Sequence, residues 1–352
     1  MDGFLNVLKP KGITSHDAVL QVRRVFKQER VGHLGTLDPM AVGVLPMALG
    51  CYTRLSEYLL NEDKEYLTEF VFGVATDTCD LDGRITSRVE CDHLTAADVT
   101  KLLAKYTGSI KQNPPAYSAV HVKGRRLHEL ARRGIKVEAP ARDVKVHEFR
   151  LLSWKPGPHP RGIFRLGVGR GTYVRSLARD LGNDLGCGAA VSYLLRTRVG
   201  NFTLRDAVPL GSIGQTRVHP RGQSRAHTPR RTTGDMQGLI PVHTLPSRSL
   251  RNLLSDPYAV LSAFPLFEIK RDSLTSVVWG RPLNAGDFAD PAKVRDWLKQ
   301  VTVDTPDKQR VFFGTYPDPV SGRHEVACVL SAVTAQDKSC RIKYEKVLVQ
   351  EE

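Results

Sequence analysis

Between Gly211 and Asp235 the chain carries almost no large apolar residue, while Arg217, Arg221, Arg225, Arg230 and Arg231 are interspersed with Pro220, Pro229 and several glycines. A segment of this kind cannot bury enough apolar surface to offset the entropy of ordering it. It divides the 352 residues into two stretches that must each find a core, 1–210 and 239–352, joined by a basic linker or insertion over 211–238. As a basic loop it either touches an RNA backbone or is simply solvated.

The first stretch mixes two periodicities. GFLNVL reads as a short strand running into a KPKG turn, and Ser15 can then N-cap a helix whose Ala18, Val19, Val22, Val25 and Phe26 share one face. EYLTEFVFGV reads as a strand closed by the acidic turn TDTCDLDG, and a helix is expected around 97–108. In FRLGVG the residues Phe164, Leu166 and Val168 alternate with small or polar ones, as in a half-buried strand. TYVRSLARDLG follows with Val174, Leu177, Ala178 and Leu181 at helical spacing, and Gly182 as a natural C-terminal stop. Beyond the basic segment, 257–350 alternates short apolar runs with polar turns and reads as a small strand-rich unit.

The formal net charge is +14 and the pI near 9.6. Excess Lys and Arg bind phosphate backbones through counterion release, which makes nucleic acid the leading partner; a solvated basic surface or attraction to anionic lipid are the alternatives. No window approaches the ~20 consecutive apolar residues of a membrane helix, and MDGFLNVLKPKG has no apolar signal core, so a cytoplasmic location is expected. The six cysteines (Cys51, Cys79, Cys91, Cys187, Cys328, Cys340) form no C-x-x-C pair, which argues against a zinc site or a disulfide framework. Asp77, Asp80 and Asp82 lack the downstream Glu of an EF-hand and read as a turn. Serine-hydrolase, Walker, zinc-protease and dinucleotide motifs are all missing from the sequence, so no cofactor is expected.

One carboxylate stands out. Asp38 is alone between Glu29 and Glu57, inside the glycine-rich apolar stretch GHLGTLDPMAVGVLPMALG. A carboxylate there has a strong local partner or carries chemistry, unless it merely N-caps a helix with Pro39 at the first position. Arg175 falls early in the TYVRSLARDLG helix, where the dipole disfavours a cation; it either sits beside an anion or faces solvent. Tyr66 and Tyr117 either stack on bases or pack in the core, and His33, between Gly32 and Gly35, is either a nucleotide contact or structural.

In order along the chain, GFLNVLKPKGITSHDAV, VGHLGTLDPMAVGVLP, KEYLTEFVFGVATDTCDLDG, NPPAYSAVHVKGRRLHELAR, GRGTYVRSLARDLG and LLRTRVGNF resemble the TruB family of pseudouridine synthases over about the first 210 residues. That resemblance implies an α+β fold: a mixed, mainly antiparallel sheet with flanking helices and a cleft. A small C-terminal β-rich, PUA-like RNA-binding domain would follow in 239–352, where PLFEIKRDSLTSVVWGRPLNAG resembles the family's tail. It implies isomerisation of uridine 55 in the T-loop of tRNA, with Asp38 as catalytic aspartate, Tyr66 against the uracil near its C5, and Arg175 paired with Asp38. His33, Tyr117, Lys123, Arg170 and Leu194 would contact the RNA, Leu194 as an apolar wall. The tRNA T-arm is the implied partner, with no metal, cofactor, protein partner or membrane, and the chain would act as a monomer. His121 and His128 depart from the family's usual Lys and Tyr, and the arginine-rich insertion is not a general family feature. The competing expectations are a guide-RNA-dependent synthase sharing the aspartate motif, and a non-catalytic RNA-binding protein using the same cleft.

Overall fold

The computed structural model describes residues 1–118, 120–122, 124–135, 139–213, 250–301, 310–317, 324–334 and 340–349. The expectations for Lys123 and for the arginine-rich segment beyond residue 213 lie outside the described residues, as do the side chains of His121 and His128.

The chain opens with strands β1 (Gly3–Lys9), β2 (Val31–His33), β3 (Val42–Leu49) and β4 (Lys64–Phe72), then the antiparallel pair β5 (Val74–Thr76) and β6 (Ile85–Arg88). Next come β7 (Gly108–Gln112), the short pair β8 (His121–Val122) and β9 (Arg125–Arg126), β10 (Arg142–Lys155), β11 (Arg161–Val168) and β12 (Ala189–Val199). The strands β13 (Phe202–Thr203), β14 (Val208–Pro209) and β15 (Leu254–Ser255) complete the first unit; β16 (Leu266–Glu268), β17 (Val311–Pro317), β18 (His324–Thr334) and β19 (Cys340–Val347) make the second. Helices α1 (Ser15–Phe26), α2 (Ser56–Leu59), α3 (Ala96–Leu103), α4 (Leu127–Arg132) and α5 (Val174–Asp184) belong to the first unit. Helices α6 (Pro257–Val260), α7 (Leu274–Val278) and α8 (Pro291–Gln300) follow it.

The large sheet runs β14-β1-β3-β12-β4-β11-β10-β7, with β2, β13 and β15 at its margins. Only β1/β14 and β3/β12 are parallel within it, so the sheet is mixed and mainly antiparallel, as the resemblance implies. Alternation decides the faces. On β4 the side chains of Tyr66, Thr68, Phe70 and Phe72 are buried while Glu65, Leu67 and Glu69 are half-buried. The buried row packs with Phe164, Leu166 and Val168 of β11 under α1, α3 and α5 in one apolar cluster. Close backbone approach sets the parallel junction: a Cβ on Gly43, whose φ is +124°, would lie 2.2 Å from the carbonyl oxygen of Arg196.

Two local expectations are corrected. Thr14, not Ser15, caps α1: its hydroxyl accepts from Asp17 N–H, and Asp17 returns a bond to the Thr14 backbone, a reciprocal capping box. Ser15 is freed for a tertiary role described below. Gly182 does not end its helix, since α5 continues to Asp184 and the left-handed turn falls at Gly186 (φ +74°). Gly182 is instead a packing glycine, whose Cβ would meet the backbone N of Ala189 at 2.2 Å.

The C-terminal strands form a separate sheet, β16-β17-β18-β19, but the strand-rich reading of 257–350 holds only from Val311 on, since 257–300 carries α6, α7 and α8 beside the three-residue β16. It packs on the first unit through Phe4, Tyr52, Leu55 and Leu59 against Phe264, Phe313, Val326 and Val329. The Tyr52 hydroxyl donates to Glu325 Oε2 (2.6 Å) and accepts from Val326 N–H (3.0 Å), so the buried phenol is fully satisfied. No helix among the described residues is long and apolar enough to cross a membrane.

Candidate active site

Asp38 lies in the loop between β2 and β3, and no helix starts at Pro39: Asp38 to Ala41 is a single turn closed by Ala41 N–H to the Asp38 carbonyl (3.1 Å). The helix-capping reading of Asp38 therefore falls. The loop is held from three directions. Ser15 of α1 donates its hydroxyl to the Leu37 carbonyl (3.0 Å) and accepts Leu37 N–H (2.8 Å). Lys9 of β1, fully buried, gives its ammonium to the carbonyls of Pro10 (2.8 Å), Ile13 (2.9 Å) and Pro39 (3.4 Å). Burial lowers the Lys9 pKa to about 8, against the opposing attraction of Asp38. Arg196 of β12, also buried, donates to the carbonyls of Val44 (2.8 Å), Thr36 (3.1 Å) and Gly35 (3.0 Å). A loop so constrained presents its carboxylate in one orientation.

That orientation is toward Arg175, the second residue of α5. Its Nε donates to Asp38 Oδ2 at 2.8 Å and its Nη2 to Asp38 Oδ1 at 2.9 Å, a bidentate pair. Nη1 donates to the Thr78 carbonyl (2.8 Å) and Nη2 also to the Tyr117 carbonyl (3.0 Å). Asp80 Oδ2 approaches Nη1 at 3.6 Å. All five guanidinium N–H groups thus face acceptors, as a buried arginine requires. The burial is asymmetric: the Arg175 side chain is 4% exposed and that of Asp38 33%. Each Asp38 oxygen accepts one arginine bond and keeps a lone pair, so the group can serve as nucleophile, base or electrostatic partner to a bound molecule.

The other expected residues distribute unevenly. Tyr66 and Leu194 are buried in the cluster that includes Leu37 and Met40, which flank Asp38, and Val174, which precedes Arg175. Tyr117 is half-buried and reaches the pair through its backbone carbonyl. His33 is half-buried in β2; burial holds its pKa below the ordinary histidine value, with Arg196 and His16 acting in the same direction, and its buried Nδ1 has no hydrogen-bond partner. Arg170 is exposed and donates to Asn61 Oδ1 (2.8 Å), with no contact to the Asp38–Arg175 pair.

Three residues of the site were not singled out by sequence reasoning, and a fourth, Asp80, was read only as part of a turn. Lys9 and Arg196 hold the Asp38 loop; Asp80 approaches Nη1 of Arg175, the guanidinium nitrogen that Asp38 does not bond. Asp80 lies in the acidic turn, whose amide and carbonyl groups bond β12 through Leu81 N–H to Val191 O (2.9 Å) and Val191 N–H to Cys79 O (3.0 Å). Its Oδ1 accepts from the Thr78 hydroxyl (2.7 Å) and Asp82 N–H (3.2 Å), yet burial still pushes its pKa up. Tyr173, preceding α5, is the third of those not singled out: burial raises its phenol pKa, and the nearby charge of Asp38 acts the same way, against a hydrogen bond with Ser118. The only hint of these in the sequence was position beside motif residues, since burial and convergence are tertiary properties. Among the described residues no group of three or more His, Cys, Asp or Glu is placed to hold a metal ion.

Known proteins resemble this chain in sequence and in fold. The family model described as "TruB family pseudouridylate synthase (N terminal domain)" matches residues 23–174, and "tRNA pseudouridylate synthase B C-terminal domain" matches residues 175–226. A protein named tRNA pseudouridine synthase B from Moorella thermoacetica is 50% identical over 235 residues, 64% of this chain and 77% of that protein. The protein of that name from Symbiobacterium thermophilum is 47% identical over 245 residues, 69% of this chain and 82% of its own length. Among solved structures, the archaeal box H/ACA sRNP Nop10-Cbf5 complex aligns with TM-score 0.62 at 21% identity, covering 99% of this chain and 86% of that one. A Cbf5-Nop10-Gar1 complex aligns with TM-score 0.62 at 23% identity, covering 99% and 85%. These two likenesses establish the shared fold.

Proposed function

The chain belongs to the TruB family of pseudouridylate synthases, and on that footing we propose that it converts the T-loop uridine of tRNA, position 55, to pseudouridine, with Asp38 as the catalytic carboxylate. The observation that carries the proposal is the bidentate Asp38–Arg175 pair, a carboxylate one-third exposed and aimed by a buried guanidinium. The naming of the homologues supports tRNA as substrate, and the net charge of +14 suits a phosphate-rich partner.

A stacked uridine is out of reach of a carboxylate held this way, so the nucleotide must be flipped into the pocket at a cost of a few kcal/mol. The N1–C1′ bond then breaks, the uracil turns, and C5 bonds to C1′. C5 loses its proton and N1 gains one, so the reaction is a balanced isomerisation with no net redox change. Asp38 meets the sugar or base as nucleophile or charge partner, and the two Arg175 bonds offset the desolvation of its carboxylate as the pocket closes. Tyr66 lies near the C5 that must be deprotonated, and Leu194 forms an apolar wall that keeps the detached uracil in place. His33, Tyr117, Lys123 and Arg170 contact the RNA, residues 1–210 form the catalytic unit, and the C-terminal part after the basic segment acts as the PUA-like RNA-binding tail. The protein works in the cytoplasm without a protein partner.

Purified protein incubated with an unmodified tRNA transcript in EDTA, without guide RNA, is mapped for pseudouridine by carbodiimide-dependent primer extension. Product at the T-loop uridine with the wild type, and none with Asp38→Asn at equal tRNA affinity, supports the proposal. Tight tRNA binding without product from the wild type rejects the stand-alone enzyme and leaves the guide-dependent or non-catalytic reading.

A further inference from the structure

Helix α5 presents Arg175, yet its own start is chemically poor. The N-cap Tyr173 makes no side-chain cap, the first turn holds no acidic residue, and Arg175 places a cation where the helix dipole opposes it. What this start lacks is supplied by another element. Gln112, the last residue of β7 and 2% exposed, accepts Tyr173 N–H at its Oε1 (2.8 Å) and donates Nε2 to the Tyr173 carbonyl (3.1 Å). The next carbonyl, Asn113, accepts from the Ser176 hydroxyl (2.8 Å) and Arg179 Nη2 (3.0 Å). Gln112 thereby does for the N-cap N–H what the acidic residue of a capping box does, but from a strand remote in sequence.

We propose that Gln112 is a positioning residue for the reaction: its two-point grip on the Tyr173 backbone fixes the first turn of α5, and so places the Arg175 guanidinium on Asp38 and the Tyr173 ring beside it. The inference rests on the functional reading above, because it supposes that the Asp38–Arg175 pair is the catalytic one. Its physical basis is lever length. Arg175 lies two residues beyond the gripped residue, so a small shift of the helix start moves the guanidinium by a comparable distance, and displacements near 1 Å in a reacting constellation cost up to ~10²-fold. Both hydrogen bonds of the Gln112 side chain go to the Tyr173 backbone and none to Asp38 or Arg175, so it acts through the helix.

The test measures single-turnover pseudouridine formation and tRNA Kd for Gln112→Leu, which removes both bonds, and Gln112→Glu, which keeps the acceptor for Tyr173 N–H. The expected result is a rate loss of roughly 10- to 100-fold for Gln112→Leu with Kd within threefold of wild type. Gln112→Glu should regain at least half of that loss on a logarithmic scale. A double-mutant cycle with Arg175→Lys separates positioning from plain destabilisation: with the guanidinium gone, Gln112→Leu should cost less than threefold more. A Gln112→Glu rate equal to wild type together with a Gln112→Leu rate within twofold of it overturns the proposal. So do fully multiplicative losses in the cycle, or a Gln112→Leu effect confined to melting temperature and Kd. Should Gln112→Leu fail to fold, Gln112→Met, which also removes both bonds but keeps an unbranched side chain of similar length, replaces it in every comparison and decides by the same criteria. Wild-type protein that makes no pseudouridine refutes the functional reading itself, a result distinct from any of these.

Discussion

Asp38 and Arg175, 137 residues apart, meet through two parallel hydrogen bonds of 2.8 and 2.9 Å, with the arginine buried and the carboxylate open on one side. The arrangement is directional. A point charge in place of the guanidinium would neutralise the carboxylate without aiming it, because the planar fork is what fixes both oxygens at once. Asp80 beside Nη1, with the carbonyls of Thr78 and Tyr117, leaves Arg175 little freedom to rotate away.

Arg175→Lys should therefore be far from conservative. The charge survives, but one carboxylate bond and at least one of the two carbonyl bonds are lost. A fall in single-turnover rate of about 10² or more, with tRNA Kd within threefold, is expected. A rate within fivefold of wild type would show that charge alone suffices.

Asp80→Asn tests the second carboxylate. Its pKa is raised by burial above the ordinary aspartate value of 3.8, so the folded state holds this proton more tightly than the unfolded chain does. That contribution to stability is fully present below about 3.8 and is lost as pH rises through the raised folded value. Urea titrations at rising pH from below the ordinary aspartate range should show Asp80→Asn gaining stability relative to the wild type, because only the wild type loses this contribution. Catalysis should fall by roughly 10-fold, since Arg175 keeps all four of its hydrogen bonds. Parallel pH–stability curves for the two proteins would refute the assignment.

Arg196→Lys addresses the loop. One ammonium cannot reach the carbonyls of Gly35, Thr36 and Val44 as the branched guanidinium does, and each buried carbonyl left unpaired costs about 1–3 kcal/mol. A loss of about 3 kcal/mol in urea unfolding is expected, together with a fall in activity, because the same carbonyls flank Asp38. Unchanged stability would mean that water replaces these bonds.

Gly43→Ala separates backbone strain from collision. At Gly43 a Cβ would meet Arg196 O at 2.2 Å with φ at +124°, whereas at Gly12, φ +92°, nothing lies within 4 Å. Gly12→Ala should cost only the strain of the left-handed region, about 1–2 kcal/mol, and Gly43→Ala several kcal/mol more as β3 and β12 are pushed apart. Equal melting temperatures for the two variants would remove the parallel junction from the account.

Much was legible in the residues alone. Apolar periodicity located α1, α5, β4 and β11, but the gap in apolar residues after Gly211 does not close the first core, which takes in Ile213 and, from beyond the basic segment, Leu254. The isolated carboxylate in GTLDP and the misplaced cation in α5 were each anomalous on local physics, and each turned out to be the other's partner. Where local rules misled, a tertiary contact had taken the residue over. Ser15 is drawn to the Leu37 backbone and leaves the cap to Thr14; Gly182 serves a close crossing with Ala189 instead of a helix end; Asp38 answers to Arg175 and caps nothing.

Which residues could carry charge, turn the chain or line a core was written in single side chains and their spacing of two or of three to four. Which of them converge was settled by the fold. Lys9, Asp80, Gln112 and Arg196 look like ordinary strand and turn residues until the sheet brings them to the Asp38 loop and to α5. Their roles come from burial, which obliges every polar group to find a partner, and the partners available are set by strand order, on which no short stretch of sequence carries information.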